Sequence, residues 1–315
     1  IVSSSGGIVK TGTGTLTWGD APVAASAPIV VSNGVMKLAT SAADIFGASG
    51  EITVVDGGQF DLNLQMASGA TSPVVNKTFR IEGEGPDGQG AIVNTGNSNF
   101  GSHLGEVILT GDATIGGAGR LDFRTKGKGV SGAGKTLTVK SGALCQITGS
   151  RIEVGTMKIA DGGLFQFEPG YVFSADEIVL TNGECRAYHD STSGSNSLPE
   201  VPIRVQGDST IHATQGNYRL KGPVTVEAGA TLHLTCYTNA QRGLDSDQPF
   251  DNYGTVSHES GFWGYRGLIN HPGSMVIHDS EDTGGVKSYS AITNNGVIWV
   301  KKTSTGGSQK INYAD

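Results

Sequence analysis

EITVVDGGQFDLNL (51–64), LTVKSGALCQITGS (137–150), MKIADGGLFQFEPG (157–170) and PVTVEAGATLHLTC (223–236) follow one pattern. Each begins with a strand of alternating apolar and polar residues, turns at a corner that contains glycine, and ends with a second alternating strand. A unit of this kind cannot bury its apolar face alone, so it must stack on further copies of itself. The repeat therefore predicts a β-solenoid.

The corner glycines set the length of the repeat. They are Gly34, Gly57, Gly83, Gly111, Gly142, Gly162, Gly183, Gly207 and Gly229. The eight intervals between positions 34 and 229 average about 24 residues, which is typical of solenoid coils. Division of the 315-residue chain by this length predicts about thirteen coils in a single elongated domain over residues 1–315.

The repeat changes its form after residue 236. Segments that begin at Asn252, Asn270 and Asn294 replace the earlier corners. We expect these asparagines to turn or stack at the corner, because Asn tolerates left-handed backbone and bonds to it through its own side chain. An alternative for residues 241–315 is an irregular or capping C-terminal section of the same domain.

Glycine-rich polar segments interrupt the repeat and predict loops that project from the coils, at residues 84–103, 124–135 and 190–199. The second segment includes most of GVSGAGKT (129–136), which satisfies the phosphate-binding P-loop pattern. That motif requires a helix after its lysine, whereas Lys135 leads into an alternating strand. We therefore expect no nucleotide to bind there.

The composition agrees with a glycine-cornered β fold and disfavours several classes of function. Glycine accounts for 49 of the 315 residues, about twice its usual share of roughly 7%. A net charge of −7 disfavours nucleic acid as a partner, because such binding depends on Lys and Arg. No run of eighteen apolar residues predicts a membrane-spanning helix. Cys145, Cys185 and Cys236 lack metal-ligand spacing, and we expect free thiols.

GGIVKTGTGTLTWGD (6–20) and IVVSNGVMKLAT (29–40) resemble the two halves of the autotransporter-associated β-strand repeat. The shared features are Gly-Gly, an apolar residue, Lys-Thr-Gly and Gly-Thr-Leu-Thr, followed by a Val-rich strand and a glycine corner. Beyond residue 40 the chain resembles parallel β-helices of the pectin-lyase-like kind. The resemblance implies a passenger-type module of a secreted or bacterial surface protein. The fold prediction is all-β, a single-stranded, right-handed parallel β-helix.

Basic residues concentrate in one segment of this acidic chain: Arg120, Arg124, Lys126, Lys128 and Lys135. A positive patch beside a groove would attract an acidic polysaccharide, because guanidinium groups bind carboxylates through paired hydrogen bonds. The alternative is a solvated basic loop without a ligand. Both interpretations stay open at this stage.

Aromatic residues concentrate between positions 241 and 290. Tyr253, Trp263, Tyr265 and Arg266 are candidate ligand-binding residues, together with the basic segment. Exposed rings suit sugars, which present apolar C–H faces beside their hydroxyl groups. The alternative is that these rings pack under a loop or cap the last coil.

Acidic residues raise two further possibilities. Asp245, Asp247 and Asp251 are weak calcium candidates, since their spacing matches no regular calcium-binding loop. A polysaccharide lyase or glycoside hydrolase with its site in a lateral groove is the alternative function for a β-helix of this kind. A hydrolase needs two carboxylates at a set separation, and a lyase needs a base with a cation. No pair in the sequence forms a recognisable signature, so the catalytic residues are unknown.

The sequence thus favours a β-helical scaffold of a bacterial surface or secreted protein that binds a polysaccharide or other glycan. Whether the chain is an enzyme stays open. We expect no cofactor, no nucleic acid and no nucleotide as partners. Because the chain opens in mid-repeat at IVSSSGG (1–7), we expect other domains of a longer parent protein as further partners.

Overall fold

The computed structural model describes residues 7–18, 28–39, 50–63, 77–96, 104–123, 125–146, 149–188, 195–214, 217–236, 243–259, 262–279, 286–288, 292–301 and 311–312. Every regular element in these ranges is a β-strand, and none of them contains a helix. The strands pair in parallel and stack as a β-solenoid of right-handed type. This confirms the predicted fold class. The chain divides into two compact units, which are described separately.

The first unit comprises Ile1–Lys158, Gly162–Phe165 and Gly170–Ala175. Its strands are β1 (Ile8–Lys10), β2 (Thr15–Trp18), β3 (Ile29–Val31), β4 (Gly34–Leu38), β5 (Glu51–Val54), β6 (Gly58–Asp61), β7 (Thr78–Gly83), β8 (Ile92–Val93), β9 (Glu106–Gly116), β10 (Leu121–Phe123), β11 (Gly129–Lys140), β12 (Ala143–Gln146) and β15 (Val172–Ser174). Two more strands, β13 (Arg151–Ala160) and β14 (Leu164–Phe167), contribute residues to both units.

Parallel ladders join successive coils of the first unit. One ladder pairs β1, β3, β5, β7, β9 and β11 in that order. A second ladder pairs β2, β4, β6, β8 and the later part of β9. The register places apolar residues directly above one another, in the column Ile29, Ile52, Phe79, Val107 and Val130. All five are buried, so the interior is a stack of like side chains.

Glycine is required at the corners for two reasons. Gly34 and Gly83 have φ angles of 68° and 86°, a region that L-residues with a side chain rarely adopt. A side chain at Gly34 would also collide with the carbonyl oxygen of Gly12 in the preceding coil. At other corners the left-handed residue precedes the glycine, as at Asn182 with a φ of 59° before Gly183. These corner glycines therefore mark turns correctly, whereas Gly111 lies inside strand β9 (Glu106–Gly116) and marks none.

The second unit comprises Ile159–Asp161, Gln166–Pro169 and Asp176–Asp315. Its strands are β16 (Glu177–Thr181), β17 (Glu184–Ala187), β18 (Ser195–Leu198), β19 (Ile203–Val205), β20 (Asp208–Ala213), β21 (Asn217–Leu220), β22 (Val224–Val226), β23 (Thr231–Cys236), β24 (Gly243–Ser246), β25 (Phe250–Asn252), β26 (Thr255–His258), β27 (Phe262–Tyr265), β28 (Leu268–Asn270), β29 (Met275–Asp279), β30 (Val286–Ser288), β31 (Ile292–Asn294), β32 (Val297–Lys301) and β33 (Ile311–Asn312).

Each coil of the second unit contributes one strand to each of three ladders. The first ladder contains β16, β19, β22, β25, β28 and β31. The second contains β17, β20, β23, β26, β29 and β32. The third contains β18, β21, β24, β27, β30 and β33. The two strands of the sequence repeat, one on each side of the glycine corner, form the first two ladders. The strands of the third ladder lie in the segments between repeats, where the sequence pattern predicted no strand.

An inward column of the first ladder changes from apolar to amide side chains. Leu180, Val205 and Val226 occupy its early coils, and Asn252, Asn270 and Asn294 continue it. Asn252 Nδ2 donates to Asn270 Oδ1 at 2.8 Å, and Asn270 Nδ2 donates to Asn294 Oδ1 at 2.7 Å. Asn252 and Asn270 are fully buried. The prediction that these asparagines stack at the corner is confirmed.

The expected coil count is wrong and the three predicted loops are only partly right, since 84–103 contains β8 (Ile92–Val93) and 190–199 contains β18 (Ser195–Leu198). The structure has about nine coils instead of thirteen. The ladder that contains β10 and β12 begins only at Leu121, so the described coils before it lack this strand, and a length-based count overestimates complete coils. The segment 124–135 is also not a simple loop, because β11 covers residues 129–140. Its extra residues are accommodated by a register shift between Ser131 and Leu137.

Two of the three cysteines, Cys185 and Cys236, lie in the solenoid interior. Cys185 is a free thiol, as expected from the sequence. Burial, with a smaller contribution from the neighbouring Glu184 charge, raises the pKa of the Cys185 thiol far above its ordinary value. Its thiol therefore stays protonated and unreactive at neutral pH. The side chain of Cys145 lies outside the described part of the structure.

Substitution of Asn270 by Ala should destabilise the protein by about 2 kcal/mol. The change removes the acceptor of Asn252 Nδ2 and the donor to Asn294 Oδ1, and it leaves buried polar groups with fewer partners. Equilibrium urea unfolding followed by circular dichroism measures the loss. Asn295→Ala is the matched control, because Asn295 is exposed. We call the stacked side chains of Asn252, Asn270 and Asn294 the amide ladder. Equal stability of the two variants would contradict a structural role for it.

Candidate functional site

A row of outward-facing corner residues follows the first ladder of the second unit. Each of these residues directly follows the last residue of a strand in the first ladder. They are Glu227 after β22, Tyr253 after β25, His271 after β28 and Asn295 after β31. Their backbone continues the ladder, since the Tyr253 N–H donates to the Val226 carbonyl at 2.9 Å and the His271 N–H donates to that of Asn252 at 3.0 Å. We call these four residues the corner row.

Tyr253 and His271 form a stacked aromatic pair within the corner row. Their ring centroids are 3.8 Å apart, and the ring planes differ by 8°. Tyr253 is 45% exposed, so part of this stacked pair is accessible to solvent. Asp251 Oδ1 accepts a hydrogen bond from His271 Nε2 at 3.1 Å, which fixes the imidazole orientation. We call Asp251, Tyr253 and His271 the aromatic platform.

An ion-pair network borders the aromatic platform on the side of the preceding coils. The guanidinium group of Arg204 contacts Glu177 through two atoms, at 2.7 and 3.0 Å, and reaches Glu227 at 3.4 Å. Its hydrogen bond to Glu177 is the main reason that the pKa of Arg204 lies above its usual value. Gln206 Nε2 also donates to Glu227, at 3.3 Å. The face around the platform is thus polar and internally hydrogen-bonded.

A second polar cluster lies on the second ladder of the same unit. His233 Nε2 is 2.8 Å from Asp208 Oδ1, and His233 Nδ1 contacts Glu259 Oε1. Partial burial by itself lowers the pKa of His233, but the hydrogen bond and charge of Glu259, together with Asp208, outweigh it and raise the pKa. Burial lowers the pKa of the neighbouring His212. These contacts describe a partly exposed ion network in which both ring nitrogens of His233 have acidic partners.

The predicted aromatic residues are placed on different ladders. Tyr253 lies in the corner row, whereas Trp263 and Tyr265 belong to β27 of the third ladder. The side chains of Trp263 and Tyr265 lie outside the described part of the structure. The side chain of Arg266 is 61% exposed, and its Nε lies 3.8 Å from Asp247 Oδ1. Tyr253 is a candidate from its residue type, and its stacking on His271, which the sequence did not indicate, depends on the register between coils.

The three aspartates named as calcium candidates face other groups. Asp247 lies 3.8 Å from both Arg219 and Arg266, and Asp251 bonds to His271. Asp245 belongs to β24. Across the described ranges, no group of three or more His, Cys, Asp or Glu side chains has an arrangement that could hold a metal ion. The calcium interpretation therefore has no support from the geometry.

The basic segment belongs to the first unit and is partly neutralised. Arg120 Nε donates to Asp122 Oδ1 at 2.6 Å, and the Asp122 side chain is fully buried. Lys126 is exposed and Lys128 is half-buried. Arg124 lies outside the described residues. The P-loop-like residues 129–136 lie within strand β11, so the backbone lacks the helix N-terminus on which phosphate binding by that motif depends.

A groove of about 600 Å³ opens on the first unit. Acidic side chains line it: Asp56, Glu82, Glu84 and Asp112. Glu84 pairs with Lys140 Nζ at 3.1 Å, and Asp112 accepts the Thr136 N–H at 2.8 Å. The sequence analysis missed this column. The sequence pattern could have indicated these residues, because each carboxylate is adjacent to one of the repeated glycines Gly57, Gly83 and Gly111.

The chain matches no family model, and no curated protein or solved structure shows significant similarity to it. The resemblance of residues 6–20 and 29–40 to the autotransporter-associated repeat therefore rests on those residues alone. Among the described segments there is no apolar helix long enough to cross a membrane.

The His233 cluster predicts a specific pH dependence of stability. Because the pKa of His233 is raised in the folded protein, its protonated form stabilises the fold below the unfolded pKa, and this stabilisation is lost as pH rises through the folded pKa. His233→Gln should therefore lower the melting temperature more at about pH 5.5 than at about pH 8.5. Differential scanning calorimetry at both pH values measures the difference.

His212→Gln serves as the control of opposite sign. The lowered pKa of His212 means that protonation favours the unfolded chain, so the native residue costs stability as pH falls. The variant should consequently gain stability relative to the native protein at acidic pH. The same pH dependence in both variants would contradict the assigned ion network.

Proposed function

We propose that the chain is a β-solenoid scaffold that binds carbohydrate on the aromatic platform of its second unit. The observation that carries the proposal is the half-exposed side chain of Tyr253, whose ring is held by stacking on the imidazole of His271, with the ring centroids 3.8 Å apart. A fixed, flat aromatic surface complements the apolar C–H face of a pyranose ring. Because the ring is already oriented, little side-chain entropy is lost when a ligand binds.

Polar groups around the platform supply the hydrogen bonds that a sugar needs. Asp251 and Glu227 are acceptors for hydroxyl groups, and Gln206 and Asn295 carry amides that donate and accept. All four lie on the outward face, next to the platform or along the corner row. A combination of one apolar ring face and several polar groups is typical of carbohydrate sites.

We also propose a passenger-type role in a secreted or bacterial surface protein. The support comes from the opening residues 6–20, with their Gly-Gly and Lys-Thr-Gly features, and from the solenoid architecture. In such a protein the coils would act as a spacer that presents the binding face away from its point of attachment. The other domains of a longer parent protein would be its covalent partners.

A glycoside hydrolase is the second candidate function, and the acidic groove of the first unit favours it. Glu82, Glu84 and Asp112 lie on neighbouring coils in a groove of about 600 Å³, a size that suits a sugar ligand. Hydrolysis of a glycosidic bond requires two such carboxyl groups, one as acid and one as base or nucleophile. The acidic lining suits a lyase less well, because a lyase must neutralise the carboxylate of a uronate substrate.

Tyr253→Ala should weaken glycan binding by at least about tenfold, because it removes the stacking surface. A glycan array identifies the ligand, and isothermal titration calorimetry measures its affinity for both proteins. Trp299→Ala is the matched control, since Trp299 is 52% exposed and belongs to the second ladder instead of the corner row. Equal losses in the two variants would contradict the assignment of the platform.

A pair of substitutions at His271 separates the support of the ring from its hydrogen bond. His271→Phe retains a ring beneath Tyr253 but loses the bond to Asp251, whereas His271→Ala loses both. We expect the alanine variant to bind the glycan more weakly than the phenylalanine variant. Identical affinities would mean that the stack does not organise the site.

Asp112→Asn should lower any hydrolytic activity by about 10²-fold or more, because it removes a groove carboxylate from acid–base catalysis. The measurement is the release of reducing ends from the polysaccharides that bind the protein. Glu200→Gln, at an exposed position of the second unit, is the control. Activity that survives in Asp112→Asn and Glu82→Gln alike would exclude the groove as the active site.

A further inference from the structure

Carboxylates flank the exposed ring of Tyr253 on two sides. Glu227 precedes Tyr253 in the corner row, at the same position of the preceding coil. Asp251 lies two residues before Tyr253, and both side chains contact His271. Parallel strands are about 4.8 Å apart, so a sugar ring placed on Tyr253 would lie next to both carboxylates.

The nearby positive charge is already committed to protein partners. Arg204 is held by Glu177 and Glu227, so its donors are directed at these carboxylates. Along this face of the first ladder, the carboxylates of Glu177, Glu227 and Asp251 outnumber the one guanidinium of Arg204. Arg219 and Arg266 face Asp247, which lies beyond the opposite end of β25 from Tyr253. The face that borders the platform carries an excess of negative charge.

This charge pattern determines which sugars the platform can accept. We infer, on the basis of the proposed carbohydrate binding, that the ligand is a neutral or amino-bearing glycan and that uronic acid polymers are rejected. Hydroxyl and ammonium groups donate hydrogen bonds to carboxylates, and an ammonium group adds charge attraction. A uronate would place its carboxylate beside Glu227 or Asp251, where like charges repel and neither group can donate.

The inference reverses the charge preference that the basic segment of the sequence suggested. Arg120 in that segment is bound to the buried Asp122, so it is not available to an acidic polysaccharide in the way that its position in the sequence implied. Beside the platform ring, by contrast, the half-buried Glu227 and Asp251 place negative charge near the exposed amides of Gln206 and Asn295. Selection by charge at this site follows from Glu227 and Asp251.

The test compares oligosaccharides of one backbone that differ in a single group. The probes are cellotetraose, its amino counterpart chitosan tetraose, and the corresponding β-1,4-linked tetraglucuronate, with matched neutral and acidic galactose-type oligosaccharides as a second series. Binding is measured by glycan array and by calorimetry. We expect the neutral or amino form to bind at least about tenfold more tightly than the acidic form. Binding of the amino form should weaken as salt concentration rises.

Two variants assign the selectivity to named residues. Glu227→Gln and Asp251→Asn keep the size of each side chain but remove its charge, so they should reduce the preference for the amino form over the acidic form by about threefold to tenfold each. A thermal unfolding curve followed by circular dichroism, compared with that of the unchanged protein, shows that each variant is folded. An unchanged preference in both variants would overturn the inference.

The failure of this inference is distinguishable from failure of the proposed function. Tighter binding of the acidic form, lost in Tyr253→Ala, would refute the charge selection and leave carbohydrate binding on the platform intact. Binding that persists in Tyr253→Ala, or the absence of binding to every glycan on the array, would refute the proposed function and this inference with it.

Discussion

Hydrogen bonding between the backbones of successive coils is the constraint on which the other features of both units depend. Parallel pairing without a register shift places each residue directly over its counterpart one coil earlier. Each side chain must therefore pack against the side chain at the same position of the adjacent coil, in a strand about 4.8 Å away. Inside the first ladder of the second unit this gives the buried column that begins with Ile178, Ile203 and Val224. Outside it, the same register stacks Tyr253 on His271. The core and the candidate site are two results of one backbone arrangement.

The amide ladder links these two faces of the chain. Asn252 replaces an apolar residue at the inward end of its strand, and its Oδ1 accepts the N–H of Gly254 at 3.1 Å while its Nδ2 donates to Asn270. Tyr253 lies between Asn252 itself and Gly254, whose N–H binds the Asn252 side chain. An exposed aromatic residue at a solenoid corner would otherwise depend on a flexible turn. Here a buried polar network with satisfied partners orients the turn, which is how such networks contribute specificity to a fold.

Periodic features of the fold could be predicted from the sequence, and features that depend on register could not. Alternating strands, glycine corners and the asparagine corners repeat along the chain, so the solenoid and the Asn stack were recognisable from composition and spacing. The third ladder was missed because its strands, such as β21 (Asn217–Leu220) and β24 (Gly243–Ser246), lie outside the pair of strands that flank each glycine corner of the repeat. The residue type alone made Tyr253 a candidate for ligand binding. Its pairing with His271 could not be inferred from a constant repeat length, because the coils differ in length. Only the strand register reveals which residues share a corner.

The separation of inward and outward residues explains why recognition can be assigned to so few side chains. Inward residues determine whether the coils stack, and each contacts only its neighbours in adjacent coils. Outward residues such as Glu227 and His271 contribute little to that stacking, because their neighbours are mostly polar and solvated. Their identity is therefore free to serve binding, and a row of them repeats along the surface at the spacing of the strands. A ligand that is itself a repeating chain, as a polysaccharide is, suits such a row better than a compact ligand does, because successive sugar units can meet successive coils.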